Sequence, residues 1–142
     1  MKIVVDASVV AQRLVVETDT PKARQLLLDW LEGKVELLAP ELMAVEIGNM
    51  LWKRVFRKLL PADKAFELYR EFSELQIPLS PCEPLMQAAF QLSVTRQHPV
   101  YDCLYVILAS ETESELLTAD EKMYRTFKPV LDTIHLLRDW SW

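Results

Sequence analysis

The stretch Lys2-Ile3-Val4-Val5-Asp6-Ala7-Ser8-Val9-Val10 decides how the rest of the chain is read. Its largely β-branched run over residues 2–5 reads as a buried first strand. Asp6 ends the run, and Ala7 to Val16 reads as a helix. A carboxylate just past the carboxyl end of such a strand stands where open α/β sheets gather their ligands. Outward from there, short apolar runs alternate with longer helical ones. Further helices are expected from after Thr20-Pro21 to about Glu32, from Pro40 to about Leu60, from Pro61 to about Gln76, over Leu85–Arg96 and over Asp102–Glu111. Proline suits a first helical turn because its missing N–H has no partner there to lose. Strands are expected at Glu36–Leu38, Leu116–Thr118 and, more weakly, Thr133–Leu137, while Ile77–Leu79 is either extended or a connector. This alternation is that of an α/β protein. The helix from Asp102 is apolar around most of its circumference and is expected to be central.

A length of 142 residues, with 51% hydrophobic and 26% charged side chains, fits a single domain over 1–142 with a sizeable core. Two glycines and eight prolines leave no Gly-rich phosphate loop. No apolar run approaches the roughly 20 residues of a membrane span, and the N-terminal apolar stretch is interrupted by Asp6 and Gln12-Arg13, so a cytoplasmic location is expected. Cys82 and Cys103 lie far apart without neighbouring Cys or His, which excludes a zinc pattern. The net charge of −5 says little against a nucleic-acid partner, because the local distribution of charge governs that contact.

Four acids carry the chemistry. Asp6 closes the first strand, Glu46 lies within a mostly apolar helix, Asp102 opens the central helix, and Asp120 closes Leu116-Leu-Thr-Ala-Asp120. Burying an unpaired carboxylate is costly, and gathered carboxylates raise one another's pKa unless a cation lies between them. An all-oxygen site suits Mg²⁺ or Mn²⁺. Each acid also has a plainer reading: Asp6, Asp102 and Asp120 as helix caps or turn residues.

On a helical wheel at 100° per residue, Glu46, Asn49, Lys53 and Arg57 share one narrow face. That stripe runs from acid to amide to base, as a metal ligand followed by phosphate contacts would. Lys53, Arg54, Arg57 and Lys58 together make a local basic footprint for RNA; a solvated helix end, where cations favour the dipole, is the alternative. Ser8 and Thr118 each stand two residues from an acid and can orient a carboxylate, with local backbone capping as the competing use. His98, before Pro99, has no Ser or Cys arranged beside it and is not read as a general base.

These motifs together resemble the PIN-domain family. Val4-Val-Asp-Ala-Ser-Val-Val10, with Glu17 after it, is similar to the opening of the family. Pro40-Glu-Leu-Met-Ala-Val-Glu46-Ile-Gly-Asn-Met-Leu51 resembles its second acidic motif, Val100-Tyr-Asp-Cys-Leu-Tyr-Val-Ile-Leu-Ala109 its third and Leu116-Leu-Thr-Ala-Asp-Glu-Lys-Met123 its fourth. They occur in family order over nearly the whole chain, and the length is that of the VapC-type toxins of toxin–antitoxin pairs. One departure is Glu111-Thr-Glu-Ser-Glu115, where a glycine turn is usual. The resemblance implies a three-layer α/β/α fold with a central, mostly parallel sheet. It implies that Asp6, Glu46, Asp102 and Asp120 meet in one cleft as metal-binding, catalytic carboxylates, supported by Ser8 and Thr118. The implied activity is endoribonuclease cleavage, often of tRNA or rRNA, dependent on Mg²⁺ or Mn²⁺ and using a metal-activated water. The implied partners are a cognate antitoxin and a second copy of the chain, with no membrane. The main rival is a PIN-like module that binds RNA or protein without cleaving. A phosphoacceptor switch is disfavoured because Asp6 is followed by Ala-Ser instead of a second acid, and a DxD phosphotransferase because position 8 is Ser.

Overall fold

The computed structural model describes residues 1–141. Five strands form one all-parallel sheet: β1 (Lys2–Val5), β2 (Glu36–Pro40), β3 (Leu79–Ser80), β4 (Glu115–Thr118) and β5 (Ile134–Leu136), in the order β3-β2-β1-β4-β5. Ile3, Val4 and Val5 point to alternate faces of the sheet, yet none has any exposed surface. Both faces are therefore covered, and the fold is of the three-layer α/β type that the family resemblance implies.

Among the described residues seven α-helices fill the connections: α1 (Ala7–Leu14), α2 (Thr20–Leu31), α3 (Leu42–Phe56), α4 (Ala62–Leu75), α5 (Met86–Arg96), α6 (Val100–Glu111) and α7 (Glu121–Phe127). Helix α6 is the central one, packed on β1, β2 and β4 with Cys103, Leu104, Tyr105, Val106, Leu108 and Ala109 buried. Among the described residues, no helix is long and apolar enough to cross a membrane.

The elements differ from the sequence expectation at their ends. Pro40 closes β2 opposite Ser80 instead of opening α3, and α3 stops at Phe56 because Lys58 turns the chain with a left-handed φ of 59°. Gln76 and Gln97 end α4 and α5 in the same conformation, φ 53° and 52°. The uncertain segment at Ile77–Leu79 resolves into a connector and a two-residue edge strand. Where a glycine turn would be usual, Glu113 takes φ 51°, and the turn is closed by Glu113 N–H on Ser110 O and Ser114 N–H on Ala109 O. A non-glycine residue bears some strain in that region.

Strand order reverses between β1 and β4. The crossovers from β1 lead towards β2 and β3, and the one from β4 leads the other way to β5. This is the topological switch point at which such sheets open a crevice. Val5 pairs with Leu117, and the Asp6 N–H donates to Leu117 O at 2.9 Å. Asp6 therefore stands beside Thr118, with Asp120 just beyond it.

Candidate functional site

Asp6 is the hub of the crevice. Only 4% of it is exposed, and it precedes α1 without using its side chain as a cap. Its Oδ2 instead accepts from Ser8 Oγ at 2.5 Å and from Thr118 Oγ1 at 2.8 Å. Ser8 Oγ in turn accepts from the Ala119 N–H at 2.9 Å, and Thr118 Oγ1 from the Asp120 N–H at 3.0 Å. The two hydroxyls thus stitch the ends of β1 and β4 together; Thr118 combines a bond to the Asp6 carboxylate with a local cap on the Asp120 N–H, while Ser8 bonds only the carboxylate and groups of the β4 end.

The other acids are each held by a different device. Glu46, half-buried on α3, accepts from the buried Tyr105 hydroxyl at 2.7 Å through Oε1. Asp102, in the first turn of α6, places Oδ2 2.5 Å from His98 Nε2. Asp120 does cap a helix: its Oδ1 accepts from the N–H groups of Lys122 (2.8 Å) and Met123 (3.1 Å) at the start of α7. One relation is common to all of them. Each carboxylate uses a single oxygen for its protein donors, and Asp6 Oδ1, Glu46 Oε2, Asp102 Oδ1 and Asp120 Oδ2 take no hydrogen bond from any described residue.

The electrostatics join these acids into one group. Burial pushes Asp6 up to about 6; the hydroxyls of Ser8 and Thr118 oppose the rise, while Asp102 and Asp120 add to it. Burial likewise lifts Glu46 to about 7, against the Tyr105 hydrogen bond and with the repulsion of Asp6 and Asp102. A cation would relieve the desolvation and the repulsion together. The donor chemistry therefore fits a hard divalent ion. The acids do not close on one another, however: among the described residues, no three His, Cys, Asp or Glu side chains stand near enough to hold an ion as they are placed. Side-chain rotation of the unpaired oxygens would be needed to enclose one.

The stripe beyond Glu46 lines an open groove of about 430 Å³ with Asn49, Lys53, Arg54 and Arg57 on its wall. Arg54 is partly committed, since it pairs with Glu17 at 3.0 Å, and Glu17 also accepts from Gln12 at 3.0 Å. Lys58 is exposed at the end of α3 and lies outside the groove lining. On the adjoining face of α3 and α4 an apolar groove of about 350 Å³ is lined by Gly48, Leu51, Trp52, Val55, Phe66 and Tyr69 among others. Trp52 and Phe66 are 57% and 75% exposed there, and Trp52 stacks on Phe56 with centroids 5.4 Å apart.

The sequence reading weighs His98 only as a general base and does not single out Tyr105. His98 lies four residues before Asp102, a spacing that brings side chains together across a helix start, and this signal was available. Tyr105 and Glu46 are 59 residues apart, and nothing local in the sequence announces their contact.

The PIN domain family profile matches residues 3–128. Ribonuclease VapC3 of Pyrobaculum aerophilum is 33% identical over 135 residues, which make up 94% of this chain and 99% of that protein. The crystal structure of PAE2754 from Pyrobaculum aerophilum superposes with a TM-score of 0.71 at 19% identity, covering 97% of this chain and 85% of that one. At that identity the likeness is one of fold. With the profile spanning most of its length and a relative one-third identical over nearly all of it, the chain belongs to the PIN domain family, in the VapC-type branch.

Proposed function

We propose that this protein is a divalent-metal-dependent endoribonuclease, the toxin of a toxin–antitoxin pair, whose domain hydrolyses RNA phosphodiester bonds at the β1/β4 crevice. The observation that carries this reading is the set of four acids around Asp6, each with one oxygen held by the protein and one left for a ligand. Family membership and the ribonuclease name of the relative point the same way.

Asp6, Glu46, Asp102 and Asp120 would hold Mg²⁺ or Mn²⁺ through the unpaired oxygens, which are equally suited to either ion. When bound, the ion supplies an activated water and charge stabilisation on the phosphoryl oxygens. Ser8 and Thr118 keep the Asp6 carboxylate turned toward the crevice, and Tyr105 does the same for Glu46. Lys53 and Arg57, with Asn49 between them and Glu46, would track the RNA backbone as it leaves the acids. Arg54 contributes less while it is paired with Glu17, and Lys58 would meet phosphate only beyond the groove. Preference for RNA then comes from the shape of single-stranded loops, as in tRNA or rRNA, since a water nucleophile needs no 2′-hydroxyl.

An exposed apolar groove rimmed by aromatic residues marks a protein-binding surface. The groove between α3 and α4 supports the expectation of an antitoxin, and a second copy of the chain is the other expected partner. The cytoplasm, where RNA and antitoxin would be met, is the proposed location. The second reading, a PIN-like module that binds without cleaving, is favoured by the separation of the acids.

Incubating purified, antitoxin-free protein with total cellular RNA, with Mg²⁺ or Mn²⁺ and with chelator, tests the proposal. Discrete products that require the metal and are lost in Asp102→Asn support the nuclease. Metal binding without any product, from folded protein, would establish the binding module instead.

A further inference from the structure

We infer that His98 is a positioning residue for this reaction: it donates its Nε2 hydrogen to Asp102 and thereby fixes which oxygen of that acid faces the crevice. The inference rests on the proposed metal-dependent cleavage and adds a residue to it. His98 lies in the tight connector between α5 and α6, with Gln97 before it in the left-handed region and Pro99 after it as the residue preceding the first turn of α6. The connector is locked on both sides, because the His98 N–H donates to Ser93 O at 3.2 Å and Ser93 Oγ donates to His98 O at 2.6 Å. The imidazole turns inward, 4% exposed, and meets the Phe127 ring edge-on with centroids 4.8 Å apart. A ring pinned at the backbone and against α7 has little freedom of its own. Its Nε2 stands 2.5 Å from Asp102 Oδ2.

Asp102 needs such an anchor for a physical reason. A carboxylate in the first turn of a helix is attracted by the unpaired N–H groups and the positive dipole end there; at α7 the preceding N-cap, Asp120, is bound by two such groups. The His98 hydrogen bond competes with that pull, holds Oδ2 and leaves Oδ1 without a protein donor. Outer-shell donors of this kind orient ligating carboxylates, and their loss typically costs about 10–100-fold in metal affinity or activity.

Mn²⁺ binding by calorimetry and cleavage of RNA are compared in the wild type, His98→Met, His98→Gln and Asp102→Asn. Methionine and glutamine are alike in length and flexibility, but only glutamine offers a donor. The expected result is at least a 10-fold loss of Mn²⁺ affinity in His98→Met, a fall in kcat larger than any change in KM, and recovery of most of both in His98→Gln. Equal affinity and kcat in the Met variant and the wild type would overturn the assignment, as would equal losses in Met and Gln variants that remain folded. Should the Met variant fail to fold, side-chain ¹⁵N spectra of the wild type decide the matter. A proton on Nε2 whose resonance moves with Mg²⁺, and moves less in Asp102→Asn, supports the role; an unprotonated Nε2 overturns it. Failure of the underlying reading is distinguishable, because the wild type itself would then bind no Mn²⁺ or cleave no RNA.

Discussion

Tyr105 and Glu46 are joined by a 2.7 Å hydrogen bond that ties the central helix α6 to α3 at the edge of the crevice. The Tyr105 hydroxyl is buried, and its pKa is driven well above the ordinary value, first by burial and then by the charges of Asp6 and Glu46. It therefore stays a hydrogen donor and favours the ionised form of Glu46. Tyr105→Phe removes the donor without changing the ring. Glu46 should then hold its proton to a still higher pH, and Mn²⁺ affinity at pH 7 should fall about 10-fold. The fold should lose about 1–2 kcal/mol, as when one partner of a buried hydrogen bond is deleted. Calorimetric titration and urea denaturation measure the two effects, and an unchanged affinity would remove Glu46 from the ligand set.

The raised acids also predict how stability responds to pH. Asp6 and Glu46 ionise in the fold at about 6 and about 7, against roughly 4 in an unfolded chain. Between those limits the native protein holds protons that the unfolded chain has released, so stability falls as pH rises. The contribution is fully present near pH 4 and lost by about pH 8. Metal-free protein, prepared with chelator, should therefore melt several degrees lower at pH 8 than at pH 5.5, and millimolar Mg²⁺ or Mn²⁺ should restore most of the difference at pH 8. A melting temperature indifferent to the cation at pH 8 would argue that the acids do not hold it.

The sequence made much of this site legible, for identifiable reasons. Ile3-Val4-Val5 reads as a strand from its β-branched residues, Leu116-Leu117-Thr118 from the shortness of its apolar run, and each leads to an acid beyond its end. The edge strand Leu79–Ser80 was not determinable in advance, since it exists only through its pairing with Ala39 and Pro40. The end of α3 was misplaced because Lys58, and not a glycine, makes the turn. The division of labour among the carboxylates was also hidden. Asp6, Asp102 and Asp120 all precede or begin helices, yet only Asp120 spends its side chain on capping. The difference lies in their neighbours: Thr118, 112 residues away in the sequence, for Asp6, and the inward-turned His98, four residues before it, for Asp102.

Asp6→Asn should separate stability from function. The substitution keeps the shape of the side chain and an acceptor for Ser8 and Thr118, but deletes the buried charge. At pH 8, without metal, the variant should be more stable than the wild type by about 1–3 kcal/mol, since each unit of raised pKa corresponds to about 1.4 kcal/mol. Its melting temperature should no longer respond to Mn²⁺, and RNA cleavage should be lost. Stabilisation coupled to loss of activity is the mark of a strained functional site. A destabilised variant would mean that the Asp6 charge is compensated within the protein itself.

The basic wall of the groove makes a prediction about salt. Lys53 and Arg57 line it near Glu46, while Arg54 is held by Glu17 at 3.0 Å. If the first two each neutralise one phosphate, Lys53→Ala with Arg57→Ala should lower the slope of log affinity against log salt by about 1.4, at roughly 0.7 per contact on single strands. Arg54→Ala should change that slope less, because its charge is already partly spent on Glu17. Binding is best followed with a single-stranded RNA and the Asp102→Asn protein, in which cleavage is expected to be lost. Metal affinity should be the same in the double variant as in its parent, since neither side chain touches the carboxylates. A slope unchanged by the double substitution would move the RNA path off α3.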